Sequence, residues 1–159
     1  MSLVKSEILR LLDPVGALWH GGPTVSGCLR GVKADQAAWD PGHGRHTIWG
    51  LTLHMAYWKY AVRRRIVQGP KGDFERTPAN FPDVPAERSE ASWKRDRALL
   101  RREDHALIEL VRSLDEGRLQ EPLSDSYRVA DQLFGIVLHD VHHIGQIQLI
   151  KRLWQDRTG

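Results

Sequence analysis

The sequence predicts an all-α protein built as a four-helix bundle. Apolar residues recur at three- and four-residue spacing in four separate stretches, which is the pattern of helices that bury one face. No convincing strand pattern interrupts them. A long, proline-containing connection separates the second stretch from the third. We expect a single domain over residues 1–159, since a chain of 159 residues can bury most of its surface without disulfides.

The first helical stretch is short and contains a proline. Its apolar positions are Ile8, Leu11, Leu12, Val15, Leu18 and Trp19. Pro14 is expected to kink this helix, and Gly21-Gly22-Pro23 to end it. A looser stretch follows as far as Trp39, and the sequence Pro-Gly-His-Gly at residues 41–44 marks a break.

The second helix is predicted over residues 46–68 and ends at Gly69-Pro70. Its apolar stripe consists of Ile48, Leu51, Met55, Trp58, Val62 and Ile66. Residues 71–85 contain several prolines and little periodicity, so we interpret them as a long crossover. A connection of this length allows the second and third helices to lie parallel.

The third helix is predicted over residues 85–116, with Asp83 as its N-cap and Gly117 as its terminator. Its buried side contains Leu100, Leu107, Leu110, Val111 and Leu114. We place the charged residues on the other side: Lys94, Arg95, Asp96, Arg97, Arg101, Arg102, Glu103 and Asp104. The fourth helix is predicted over residues 129–154.

The composition excludes several classes of protein. A single cysteine excludes a disulfide framework and a cysteine-rich zinc finger, whereas eight histidines leave imidazole as a metal ligand. A net charge of +3, mixed among acidic residues, creates no strong field for nucleic acid. We find no signal peptide and no apolar run of membrane-spanning length, so we expect a cytoplasmic protein with neither nucleic acid nor membrane as partner.

Two histidines of the fourth helix lie on its apolar face. At about 100° per residue, His139 and His143 share this face, whereas His142 points away from it. A buried imidazole needs a partner for its nitrogens. Histidines four residues apart can bind one metal ion, and they can also be hydrogen-bonded core residues, so the spacing leaves both readings open. His54, on the edge of the second apolar stripe, is the candidate third ligand.

Other residues near these histidines have two readings each. Asp140 either orients a metal ligand or forms a salt link to another helix. Gln146 is either a polar group of a pocket or an interhelical hydrogen bonder, and Trp58 belongs either to the core or to a substrate wall. Cys28 lies in an irregular segment and is not expected to be catalytic. No residue is assigned as a general base.

Two motifs resemble signatures of the DinB/YfiT-like superfamily. Residues 139–147, His-Asp-Val-His-His-Ile-Gly-Gln-Ile, resemble its C-terminal signature, and residues 47–58, from Thr47 to Trp58, resemble its second signature. Trp19-His20-Gly21, near the start of the chain, also resembles the sequences of this family. The resemblance implies an up-down-down-up bundle and a divalent transition metal, zinc, nickel or iron, on three histidines. Carried over by position, these are His54, His139 and His143.

The resemblance also implies a homodimer that acts on a small-molecule substrate. Some relatives transfer low-molecular-weight thiols, which implies a thiol-dependent S-transferase acting on small electrophiles with a thiol cosubstrate. The alternatives are a metal-dependent hydrolase that uses metal-bound water, and a non-catalytic binding module of a stress response.

Overall fold

The regular structure of the chain is helical throughout the part that the structure, a computed structural model, describes: residues 3–14, 23–72 and 74–157. The α-helices are α1 (Leu3–Leu12), α2 (Val25–Cys28), α3 (Ala34–Ala38), α4 (Ile48–Ile66), α5 (Glu90–Ser113) and α6 (Val129–Asp156). A 3-10 helix spans Glu116–Gln120. The predicted all-α class is therefore confirmed.

The long helices α4, α5 and α6 position the site. α4 packs against both α5 and α6, and α1 packs against the same two helices. Residue numbers rise in the same direction along the contact between α4 and α5: Trp49 is bonded to Asp96, and the later Arg63 to the later Glu103. These two helices therefore run parallel, as the long crossover between them allows. Since residues 15–22, which include the predicted continuation of the first helix, lie outside the described residues, the complete up-down-down-up bundle stays a prediction.

The apolar core is divided into two clusters. One surrounds Trp49 and Trp93, and the other contains Ile66, Leu107 and Leu133. Between these clusters, α4, α5 and α6 contribute buried polar side chains: Lys59, Glu103, Asp140 and His143. The structure thus places ionisable side chains in the middle of the helices, where a continuous apolar core would otherwise run.

Helices α4 and α6 lie close to their predicted bounds. α4 begins after Thr47, whose Oγ1 accepts a hydrogen bond from the Gly50 backbone N–H at 2.9 Å. After α4, Gln68 has a φ of 55° and the chain turns into Gly69-Pro70. α6 begins at Val129, as predicted, because Asp131 accepts a hydrogen bond from the Arg128 backbone N–H at 2.8 Å.

The predicted bounds of the third helix are wrong at both ends. α5 begins at Glu90, where Ser89 Oγ accepts a hydrogen bond from the Ser92 backbone N–H at 3.2 Å. Asp83 is not its cap, because it lies in the crossover before Ser89. There its backbone N–H donates to the Thr77 oxygen. The helix ends at Ser113, and Gly117 lies within the 3-10 helix instead of terminating α5.

Two carboxylates assigned to the exposed side of the third helix are buried. Asp96 and Glu103 share the stripe of Leu100 and Leu107, since the four residues are three or four positions apart. Asp96 accepts from Trp49 and Arg76, while Glu103 pairs with Arg63. The hydrogen bonds and ion pairs with these partners make burial of the two carboxylates possible. The spacing in the sequence places both carboxylates on the buried stripe, but it does not show which residues pair with them.

The first helix is shorter than its apolar pattern. α1 ends at Leu12, two residues before Pro14, because proline cannot donate the next helical hydrogen bond. The predicted continuation to Trp19, and the motif Trp19-His20-Gly21, lie outside the described residues. The looser stretch that follows contains the short helices α2 and α3. Within the described ranges, no helix combines the length and the apolar character needed to cross a lipid bilayer.

Candidate metal centre

Helices α4 and α6 bring His54, His139 and His143 together. His139 Nε2 lies 3.0 Å from His54 Nε2 and 3.1 Å from His143 Nε2. His54 and His143 are about one-twentieth exposed, and His139 is half-buried. The two histidines of α6 point the same way because they are one turn apart, and α4 supplies the third from the facing side.

Hydrogen bonds at the other ring nitrogens determine two of the tautomers. His54 Nδ1 lies 2.5 Å from the Asn80 backbone oxygen, and His143 Nδ1 lies 2.7 Å from Gln146 Oε1. Since a carbonyl oxygen can only accept, each Nδ1 carries the proton and donates it. The Nε2 atoms of His54 and His143 therefore present lone pairs toward His139.

This arrangement has the chemistry of a cation site. A single proton on His139 Nε2 can satisfy one neighbouring lone pair but not both, so one of the two close contacts is left without a hydrogen bond. Ligand nitrogens of tetrahedral zinc, at bonds of about 2.0–2.1 Å, lie about 3.3 Å apart, close to the spacing here. The residues present therefore fit a divalent ion held by three imidazoles. Three protein ligands leave a coordination position for a substrate, as in catalytic sites.

Burial keeps these imidazoles neutral, the form that binds metal. The pKa of His54 is lowered to about 4 and the pKa of His139 to about 3, mainly by desolvation and in part by the charge of the neighbouring His143, while the hydrogen bond to Asn80 opposes the shift of His54. Desolvation also lowers the pKa of His143, against the opposing effect of its bond to Gln146. At neutral pH no proton has to be displaced from an imidazolium before a metal ion binds.

The crossover covers His54. The Phe81 ring stacks on the His54 ring at a centroid distance of 3.9 Å and an angle of 12°, and His46 stacks on Phe81 at 4.2 Å. Asn80 Oδ1 accepts a hydrogen bond from Trp58 Nε1 at 2.8 Å. Sequence reasoning missed Asn80 and Phe81, because the crossover has no periodicity from which their contacts could be inferred.

A buried ion-pair triad lies beside the histidines. Lys59 of α4 is fully buried, and its Nζ lies 2.7 Å from Asp104 Oδ1 and 2.5 Å from Asp140 Oδ2. Burial alone would lower the pKa of Lys59, but the two carboxylates outweigh it and raise the pKa. Sequence reasoning missed Lys59, although its spacing from Met55 and Val62 places it on the apolar stripe of α4.

The remaining candidate residues have defined positions. Asp140 makes the salt link to another helix, one of its two proposed roles. Gln146 bonds to His143 on its own helix, so its contact is not interhelical. Trp58 is half-buried, with its ring 6.4 Å from the His54 ring. His142 is exposed, and its ring lies edge-on to that of His143.

Cys28 does not face this site as a reactive thiol. It is buried, and its Sγ–H donates to the Val25 backbone oxygen at 3.0 Å. Desolvation raises the pKa of the thiol from its ordinary value of 9.0 to about 12. A thiol with so little thiolate is a poor nucleophile at neutral pH.

Comparison with known proteins identifies the family. The family model described as the DinB superfamily matches residues 24–147, which contain all three clustered histidines. The chain belongs to the DinB superfamily. The resemblance drawn from residues 47–58 and 139–147 is thereby confirmed. No curated protein and no solved structure matches this DinB-superfamily chain.

Proposed function

We propose that this DinB-superfamily chain is a metalloenzyme that holds one divalent transition-metal ion, zinc, nickel or iron, on His54, His139 and His143. The observation that carries the proposal is the convergence of three Nε2 atoms, two of which must present lone pairs. We further propose that the helices form an up-down-down-up four-helix bundle, which is supported by the parallel course of α4 and α5.

The reaction that we propose is S-transfer from a low-molecular-weight thiol to a small electrophile. In this reaction the new S–C bond forms as the bond from carbon to the leaving group breaks, and the thiol proton departs with the leaving group. A bound divalent ion supplies the Lewis acidity that lowers the pKa of a thiol. Because Cys28 is buried with its proton retained, the thiol has to arrive as a cosubstrate.

Metal analysis tests the proposed site. Purified protein is expected to contain close to one equivalent of a divalent transition metal, and His54→Ala, His139→Ala and His143→Ala are each expected to lose it. His142→Ala is the matched control, because this exposed histidine lies next to His143. Unchanged metal content in the three variants, or wild-type protein that binds no added zinc, nickel or iron, would overturn the proposed site.

A substrate screen tests the proposed reaction. Metal-loaded protein is incubated with small electrophiles in the presence and absence of low-molecular-weight thiols, and the products are identified by mass spectrometry. Thiol-dependent conjugates that disappear in His139→Ala support S-transfer. Product formation without thiol would identify a hydrolase instead, and metal binding without turnover of any electrophile would favour a non-catalytic binding module.

We propose a second copy of this chain as the partner, bound through the outward face of α6. Opposite the buried side of this helix lies a row of apolar and small residues: Phe134, Leu138, Val141, Gly145 and Leu149. Leu138 is 68% exposed. Singly exposed apolar residues are common, but such an aligned row is typical of an interaction surface.

The same face is complementary to itself. When two copies of α6 pair antiparallel about a twofold axis, Phe134 faces Leu149 and Leu138 faces Gly145. A Cβ atom at Gly145 would meet nothing within 4 Å, so the glycine leaves room for the leucine. Asp131, which also holds Arg128, then faces Arg152. A twofold interface requires this kind of match of one surface with itself.

Light scattering coupled to gel filtration tests the partner. Wild-type protein is expected to have the mass of a dimer and Leu138→Glu that of a monomer. Leu3→Glu is the control, since Leu3 is 77% exposed and belongs to α1, not to α6. A wild-type monomer at tens of micromolar protein, or a Leu138→Glu variant that stays dimeric, would refute this interface.

A further inference from the structure

We propose that Asn80 and Phe81 form a clamp that sets the metal affinity of His54, and that metal binding in turn stabilises the crossover. We call these two residues the His54 clamp. The inference rests on the proposed metal site, and it assigns to the crossover a role that the three histidines alone do not have.

Asn80 holds two side chains of α4 that are one turn apart. Its backbone oxygen accepts from His54 Nδ1 at 2.5 Å, and its side-chain Oδ1 accepts from Trp58 Nε1 at 2.8 Å. Its φ is 71°, in the left-handed region that glycine and asparagine tolerate and that β-branched residues resist. The direction of the carbonyl therefore depends on the residue type at this position.

Phe81 covers the ring that Asn80 orients. Its nearly parallel stacking on His54 opposes rotation of the imidazole and covers one ring face. Covering the ring lowers the local dielectric constant, which strengthens the bond from Nδ1 to the Asn80 oxygen. The two residues therefore act on the same imidazole, one along its edge and the other over its face.

The clamp is anchored independently of His54. Arg76 donates from two nitrogens to Asp96 Oδ1, at 3.1 Å and 2.6 Å, and Asp96 Oδ2 accepts from Trp49 Nε1 at 2.8 Å. The Asp83 backbone N–H donates to the Thr77 oxygen and closes the segment that contains Asn80. The crossover is thus attached to α5 through Arg76, and to the metal centre through Asn80.

His54 differs from the other two histidines in this respect. The partner of His143 is Gln146 on the same helix, and His139 Nδ1 has no hydrogen-bond partner among the described residues. A bond from Nδ1 to a carbonyl orients a ligating imidazole and raises its basicity, and loss of such a bond weakens metal affinity by about 10- to 100-fold. Linkage is reciprocal, so metal on His54 must stabilise the bond to the crossover by the same factor.

The first measurement is zinc affinity by competition with a chromophoric chelator. Asn80→Val forces a β-branched residue into the left-handed region and displaces the carbonyl, so its dissociation constant is expected to rise about 10- to 100-fold. Phe81→Ala is expected to raise the constant as well. Asn80→Gly keeps the carbonyl and the backbone conformation and is expected to stay within about threefold of wild type. Ala79→Ser, at an exposed neighbouring position, is the control.

The second measurement is hydrogen exchange of residues 74–84 with and without saturating zinc, with circular dichroism to verify that each variant is folded. Zinc is expected to slow exchange in wild type and in Asn80→Gly, but not in Asn80→Val. Equal zinc affinities of wild type and Asn80→Val would overturn the proposed clamp but not the metal site. Equal zinc-dependent protection of residues 74–84 from hydrogen exchange in the two proteins would do the same. Failure of wild-type protein to bind zinc, nickel or iron would overturn the proposed metal site itself, and protein that binds only nickel or iron is measured in the same way with that ion.

Discussion

At the scale of single residues, desolvation favours the neutral form of each buried ionisable side chain unless a charged partner opposes it. It lowers the pKa of His139 to about 3 and raises that of Cys28 to about 12. Lys59 is fully buried and yet keeps its charge, because Asp104 and Asp140 are in direct contact with it. The chemistry available to each residue therefore depends on its neighbours as much as on its type.

Cys28 is expected to resist thiol reagents in the folded protein. With a pKa of about 12, roughly one thiol in ten thousand is ionised at pH 8, against about one in ten at the ordinary value of 9.0. Modification by a disulfide reagent at pH 8 should be slow in buffer and fast in denaturant. Rapid, complete reaction of the native protein would contradict the buried position of Cys28.

The same shift gives alkaline pH a destabilising effect. The folded pKa lies above the unfolded value, so the contribution of the protonated thiol is fully present below about pH 9 and is lost as pH rises toward 12. The unfolding free energy of wild type is expected to fall more steeply over this range than that of Cys28→Ala. Parallel pH profiles of the two proteins would argue against this contribution.

At the scale of the elements, the start of α5 depends on a single hydroxyl. Ser89→Ala removes the oxygen that accepts from the Ser92 backbone N–H and is expected to cost about 1 kcal/mol of unfolding free energy. Urea denaturation measures this cost. Asp83→Ala is the matched control, because sequence reasoning placed the cap there and the structure does not. Equal losses in both variants would indicate that the helix has another beginning.

The Lys59 triad connects three elements, because Lys59 is in α4, Asp104 in α5 and Asp140 in α6. Lys59→Met leaves the buried Asp140 and the partly buried Asp104 without their cation and is expected to lower the unfolding free energy by about 3–5 kcal/mol. Lys94→Met, on the exposed surface of α5, should have little effect. The combined variant Lys59→Met/Asp104→Leu/Asp140→Leu should recover part of the loss, and a single variant as stable as wild type would refute the role of the triad.

At the scale of the whole molecule, a metal ion bound between α4 and α6 must stabilise the folded state, since the unfolded chain does not bring His54 to His139. Free zinc at about one hundred times its dissociation constant contributes about 2.7 kcal/mol. The midpoint of thermal unfolding should rise with zinc and fall with a chelator, and His143→Ala should lose the response. A zinc-dependent rise of equal size in that variant would place the binding elsewhere.

Periodicity and local motifs in the sequence were enough to predict the fold class, two of the long helices and the clustered histidines. They predicted the all-α class, the positions of α4 and α6, and the three histidines that the structure brings together, because apolar spacing records which side of a helix is buried. The family signatures also depend on short segments, residues 47–58 and 139–147. Each helix, and the face on which each histidine lies, is recorded within a single stretch of sequence, so neighbouring residues contain that information.

The tertiary structure alone decided what those helices meet. Asn80 reaches His54 across 26 positions and Lys59 reaches Asp140 across 81, and no local pattern records such pairs. The start of α5 at Glu90 also depends on the crossover, which uses Asp83 for a turn of its own. Burial selects faces within a helix, but hydrogen bonds and ion pairs between distant segments form only when packing has placed their donors and acceptors within reach.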